Sequence, residues 1–215
     1  MKLLFCVALL FYWAANISYG QSDVGLTLDQ VVALLGKTNG VGIVGWEAVP
    51  DSRENIIHSN TLREAILQLD IVKVVNAIVL ETDYECLVGS GYIIIYPKKN
   101  PSIHDSPLSM RKVTFPDATK LPYNQFLAHI KTDGPLNGIY LNDSAPYRGQ
   151  ISDGLISIRG GQNECYKVLN QMAKQLNTNV WIMGHMVLPD AKTNKPQLPM
   201  KLNIGFVSFF NMIRD

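Results

Sequence analysis

Cys165 opens the stretch CYKVLNQMAKQLN, in the first turn of a helical pattern, where the helix macrodipole lowers a thiol pKa. With a histidine nearby, such a thiol is a nucleophile. His58, His104, His129 and His185 are the four histidines, and none sits in a recognisable motif. The opposing reading pairs Cys165 with Cys86. Cys6 belongs to an N-terminal segment expected to be removed, which leaves an even pair and favours a disulfide in an oxidising compartment. The loop closed by that bridge would stabilise the fold by about 4–5 kcal/mol in the chain-entropy model. The disulfide is the expectation taken forward, and the free nucleophilic thiol is its alternative.

Arg159, Gly160, Gly161, Gln162 and Asn163 lie between a strand pattern and that helix. Backbone N–H groups in that context form an anion site. No glycine or lysine fingerprint follows, so the stretch is a possible anion site and nothing more specific. Gly89-Ser90-Gly91 is followed by YIIIYP, a strand pattern, whereas a phosphate loop needs a helix at that point. It reads as a hairpin turn. The histidines show neither H-x3-H nor H-E-x-x-H spacing, so no metal site and no cofactor is expected. Glu81, Asp83 and Glu85 alternate as a solvated strand face would, and Trp46, Trp181, Tyr92 and Tyr96 read as core or cross-strand aromatics.

These residues need elements to hold them. The 215-residue chain is 47% hydrophobic and 17% charged, enough to bury a sizeable core. A net charge of +1 with dispersed Lys and Arg gives no nucleic-acid footprint. Met1-Lys2 followed by LLFCVALLFYWAA, with Ser18 and Gly20 at −3 and −1, has the pattern of a signal peptide cleaved after Gly20. The apolar run is short for a membrane span, and no later stretch approaches that length. The expected compartment is periplasmic or extracellular.

Periodicity predicts a short helix over 29–35, a strand over 41–49 and an amphipathic helix over 60–69. Residues 70–83 fit either helix or strand. A hairpin is expected over 84–97. Residues 98–150 carry prolines at 101, 107, 116, 122, 135 and 146 and read as a loop-rich connection with one helix at 122–131. The last part predicts a strand over 154–161, a helix over 163–177, strands over 180–188 and 200–207, and a short terminal helix. The expected organisation is therefore a leader over 1–20, an α+β unit over 21–97, the connection over 98–150 and a second α+β unit over 151–215.

VGIVGWEAVPD (41–51) and VWIMGHMVLPD (180–190) share Val, Ile, Gly, Pro and Asp at matching positions, which reads as two copies of a helix–strand–loop–helix unit. The helix, turn and V-x-I strand, the TLREAILQL helix and the YECLV…YIIIYP hairpin together resemble the secretin and TonB short N-terminal domain, a small periplasmic βαβ module. KVLNQMAKQLNTNVWI and PMKLNIGFVSFFNMI resemble parts of the same module. The resemblance covers about two-thirds of the chain after the leader. It departs at 70–83, and the second copy has no closing hairpin. It implies protein–protein contact at the bacterial cell envelope and no catalysis. The expected function is thus an exported, non-enzymatic interaction module with another envelope or secreted protein as partner. The expected docking edges are YIIIY and MKLNIGF, through Tyr92, Ile94, Tyr96, Leu202, Ile204 and Phe206. A secreted enzyme using Cys165 or the 159–163 anion site is the alternative.

Overall fold

A computed structural model describes residues 25–49, 56–58, 62–99, 106–133, 139–141, 154–187, 202–210 and 212. The leader expectation, His104 and the terminal residues 213–215 lie outside them. In chain order the elements are β1 (Leu26–Thr27), α1 (Leu28–Lys37), β2 (Ile43–Ala48), β3 (Ile56–Ile57), α2 (Leu62–Leu67), α3 (Ile71–Glu81), β4 (Tyr84–Gly89) and β5 (Tyr92–Pro97). A 3-10 turn (Leu108–Met110), β6 (Lys112–Phe115), β7 (Ala118–Pro122), α4 (Tyr123–Asp133) and β8 (Ile139–Leu141) follow. The rest is β9 (Leu155–Ile158), β10 (Gly161–Glu164), α5 (Cys165–Gln175), β11 (Val180–Val187) and β12 (Leu202–Phe210).

The fold is α+β, as expected. The two halves, however, are not separate units. One mixed sheet runs β4-β5-β2-β11-β12-β8 and joins them. The two echoing stretches lie side by side at its centre, with β2 and β11 parallel from Val44↔Val180 to Ala48↔Gly184. Apolar runs buried on both faces suit such central parallel strands. Ile43, Ile94, Trp181, Met183, Val207 and Phe209 point to one face, beneath α4, α5 and the small β7–β9 and β6–β10 pairs. Val44, Trp46, Ile93, Ile95 and Val180 point to the other, beneath α1, α2 and α3.

Several local expectations change. Residues 70–83 resolve as helix: Asp70 caps α3 by accepting from the Lys73 N–H at 3.2 Å, and Val74, Ala77 and Ile78 bury one face. The connection over 98–150 contributes the 3-10 turn, β6, β7, α4 and β8 among its described residues, so it is part of the fold rather than a linker. SFFNMIRD does not begin as a helix. Ser208–Phe210 continue β12 because β11 offers partners as far as Phe210↔Val180.

The hairpin is as read. β4 and β5 pair from Gly89↔Tyr92 to Tyr84↔Pro97, and Gly91 takes φ +78 in the turn. Gly42 (φ +80) is pinned beside it, since a Cβ there would lie 2.1 Å from the Gly91 carbonyl oxygen.

Candidate functional site

Glu47 is a fully buried carboxylate, at 0% exposure. Alternation along β2 sends Ile43, Gly45 and Glu47 to the same face. His185 reaches that face from β11 by the same parity as Trp181 and Met183. Its side chain is fully buried, so the exposure at this residue is confined to its backbone.

The carboxylate is filled by four donors. Oε1 accepts the Leu108 N–H at 2.9 Å and faces His185 Nε2 at 2.9 Å. Oε2 accepts the Ser109 N–H at 2.9 Å and its hydroxyl at 2.6 Å. Burial works to raise the Glu47 pKa, but the bonds and charge from His185 and the bonds from Ser109 together hold it below the ordinary carboxylate range. One ionised group thus fastens together β2, β11 and the 3-10 turn, one from each third of the chain. Arg111 adds a favourable charge nearby.

The residue types invite comparison with a serine–histidine–acid triad, but the order is wrong. In a triad the histidine stands between acid and hydroxyl. Here the acid stands between them and holds both, and Ser109 is fully buried. His185 Nδ1 is buried without a partner among the described residues. The arrangement is a structural lock.

Cys165 and Cys86 are both free. The expected disulfide is overturned by topology: Cys165 packs in the core on the Glu47 face, while Cys86, paired with Ile95, packs on the other. The sheet lies between them. Burial, with the Glu47 charge adding to it, pushes the Cys165 pKa far up, opposite in direction to the lowering expected at a helix N-terminus. Burial, with Glu85 adding and Lys98 opposing, raises Cys86 to about 12.

The anion site is not formed either. Gly161–Glu164 are strand β10, paired with β6 from Gly161↔Phe115 to Glu164↔Lys112. Arg159 is exposed, and the Gly160 N–H donates to Asp117 at 2.6 Å. Gln162 and Asn163 sit in the ladder opposite Thr114 and Val113. At the α5 N-terminus Glu164 holds the N-cap position without a side-chain cap bond, its carboxylate pairing with Lys167 at 2.6 Å, and the Cys165 N–H donates to the Arg111 carbonyl at 2.8 Å.

The expected docking edges are interior strands. β5, with Tyr92, Ile94 and Tyr96, lies between β4 and β2. β12, with Leu202, Ile204 and Phe206, pairs with β11 throughout and with β8 over Gly205–Val207. The terminal strands are β4 and β8.

Among the described residues β4 is therefore the longer edge without a second strand partner. Asp83 accepts the Lys98 N–H at 2.8 Å, so odd-numbered residues of β4 bond inward to β5. Pro97, which has no N–H, sits opposite Tyr84 as this alternation requires. The N–H and C=O groups of Cys86 and Val88 face outward. The Tyr84 N–H is already held by Thr82 Oγ1 at 3.1 Å. Val88 is 48% exposed, and on nearby α3 Val72 and Leu80 are 71% and 82% exposed.

The sequence held a signal for the lock: Glu47 and His185 are lone ionisable residues in apolar strand runs, at core-facing parity. It held none for Ser109, which only the fold brings to them. No family model matches the chain, and no curated protein or solved structure matches it. Among the described residues, no group of three or more metal-ligating side chains forms, and no helix is long and apolar enough to cross a membrane.

Proposed function

We propose that this chain is an exported, non-enzymatic module of the bacterial periplasm or cell envelope that binds another protein by accepting a strand at β4. The carrying observation is the open edge: six residues in unbroken register, with the Cys86 and Val88 backbone groups outward. Strand addition to such an edge draws affinity from main-chain hydrogen bonds. Natural edges are usually guarded by lysine, proline or a bulge. β4 has none of these, and its one charge, Glu85, points to the opposite face from Val88 and accepts from the Tyr96 hydroxyl at 3.2 Å. The apolar leader and the resemblance to the secretin and TonB short N-terminal domain support export and an envelope partner. The buried, high-pKa Cys165 and the saturated Glu47 speak against a thiol or triad enzyme.

The test is a photo-reactive residue placed at Val88 in intact cells, with Lys120, exposed on β7, as the control position. The expected result is a processed protein starting at Gln21 and a discrete adduct from position 88 alone. An unprocessed protein overturns the export reading. Equal or no adducts at the two positions overturn the docking reading.

A further inference from the structure

We infer that the occupant of the β4 edge is the β4 edge of a second copy, giving a two-fold homodimer with one continuous twelve-stranded sheet. This rests on the reading of β4 as a docking edge and names its partner.

The register follows from hydrogen-bond accounting. A continued sheet requires paired residues to point to the same face, so a two-fold axis normal to the sheet pairs even residues with even residues. The open groups belong to Cys86 and Val88, whereas the Tyr84 N–H is already bonded. An axis through Leu87 pairs Cys86 with the second copy's Val88, and Val88 with its Cys86. All four N–H groups and all four C=O groups then have partners. An axis through Cys86 would set Val88 opposite Tyr84, where one donor is committed elsewhere.

The side chains agree with this register. Leu87, half-buried, meets its own counterpart at the axis as a non-hydrogen-bonded pair, the closer of the two antiparallel spacings. Glu85 falls opposite Gly89, so no like charges face each other. Val88 gains an apolar neighbour in Cys86. The axis also keeps both copies of α3 on one face of the sheet.

The experiment is sedimentation analysis of the full processed chain at about 50 µM, a concentration suited to a micromolar dimer. The expected result is a dimer for the natural sequence and a monomer for Val88→Pro, with unchanged far-ultraviolet dichroism. Proline is tolerated on an outward-facing edge position but removes the Val88 donor. Leu87→Cys tests the register. Cα atoms of a non-hydrogen-bonded pair lie about 4.5 Å apart, within disulfide reach. Copper phenanthroline with dioxygen as oxidant should take the two introduced thiols to one disulfide, releasing two protons and two electrons, and give a reducible covalent dimer. A natural protein that sediments as a monomer overturns the proposal. So does a dimer indifferent to Val88→Pro, and a dimer whose Leu87→Cys form does not cross-link overturns this register. A monomer combined with a discrete adduct to a different polypeptide at position 88 in cells would sink the homodimer and leave the edge reading standing.

Discussion

Glu47→Gln tests the lock. Each carboxylate oxygen accepts two donors, one of them a backbone N–H. The amide replaces one oxygen with an NH2 group. Placed at Oε2, it can donate to the Ser109 hydroxyl, which rotates to accept, but it faces the Ser109 N–H. Placed at Oε1, it can donate to His185 Nε2 if the imidazole shifts its proton to Nδ1, but it faces the Leu108 N–H. Either way one buried backbone donor is orphaned, at about 1–3 kcal/mol. The bonds that remain lose their ionic acceptor, at about 1 kcal/mol more between them. Removing the desolvation cost of a buried charge offsets part of this. The net expectation is a loss of about 2–3 kcal/mol, read as a lower urea midpoint at unchanged slope at pH 7. The pH dependence has a fixed sign. Glu47 has a folded pKa below 4.5, so its contribution is complete above that value and is lost as pH falls through the folded pKa. The natural protein should therefore lose stability below pH 4.5 more steeply than Glu47→Gln. A loss under about 0.5 kcal/mol, or parallel acid profiles, would refute the lock.

Other expectations follow from single contacts. Asn170→Leu removes the acceptor of the Trp181 indole N–H, a buried bond of 2.7 Å, and should cost about 1–3 kcal/mol and shift the tryptophan emission. Asn179→Ala releases the Gly36 and Met212 carbonyls and the Met212 N–H at once and should cost about 2–4 kcal/mol by thermal melting. Cys165 should resist a thiol reagent such as dithionitrobenzoate in the native protein and react in guanidinium, while Cys86 reacts slowly. Equal fast labelling of both in the native state would contradict their burial. Gly42→Ala combines a positive φ with a Cβ placed against the Gly91 carbonyl and should cost more than about 1 kcal/mol in denaturant unfolding.

Most element types were legible in the chain because they depend on neighbours in sequence. The 84–97 hairpin, the helix that forms over Cys165–Gln175 within the expected 163–177, and the central strands follow from apolar period and from glycine placement. Residues 70–83 were ambiguous because β-branched side chains suit either state, and the Asp70 cap with burial of Val74 and Ile78 decides for helix. The terminal SFF segment failed as a helix because strand pairing with β11, a long-range contact, outweighed local pattern.

The sequence by itself determined that this chain would be α+β, with a hairpin at Gly89–Gly91 and two similar strands in its two halves. Tertiary structure decided what those strands do. Pattern dictates which face a side chain takes, but not which strand lies beside it. Only long-range pairing sets the echoing strands next to each other, turns YIIIY and residues 202–206 into interior strands, puts the sheet between Cys86 and Cys165, and leaves β4 at the edge of the sheet among the described residues. The lock is of the same kind: Glu47, Ser109 and His185 are far apart in sequence, and a buried carboxylate is tolerable only where the fold delivers four donors to it.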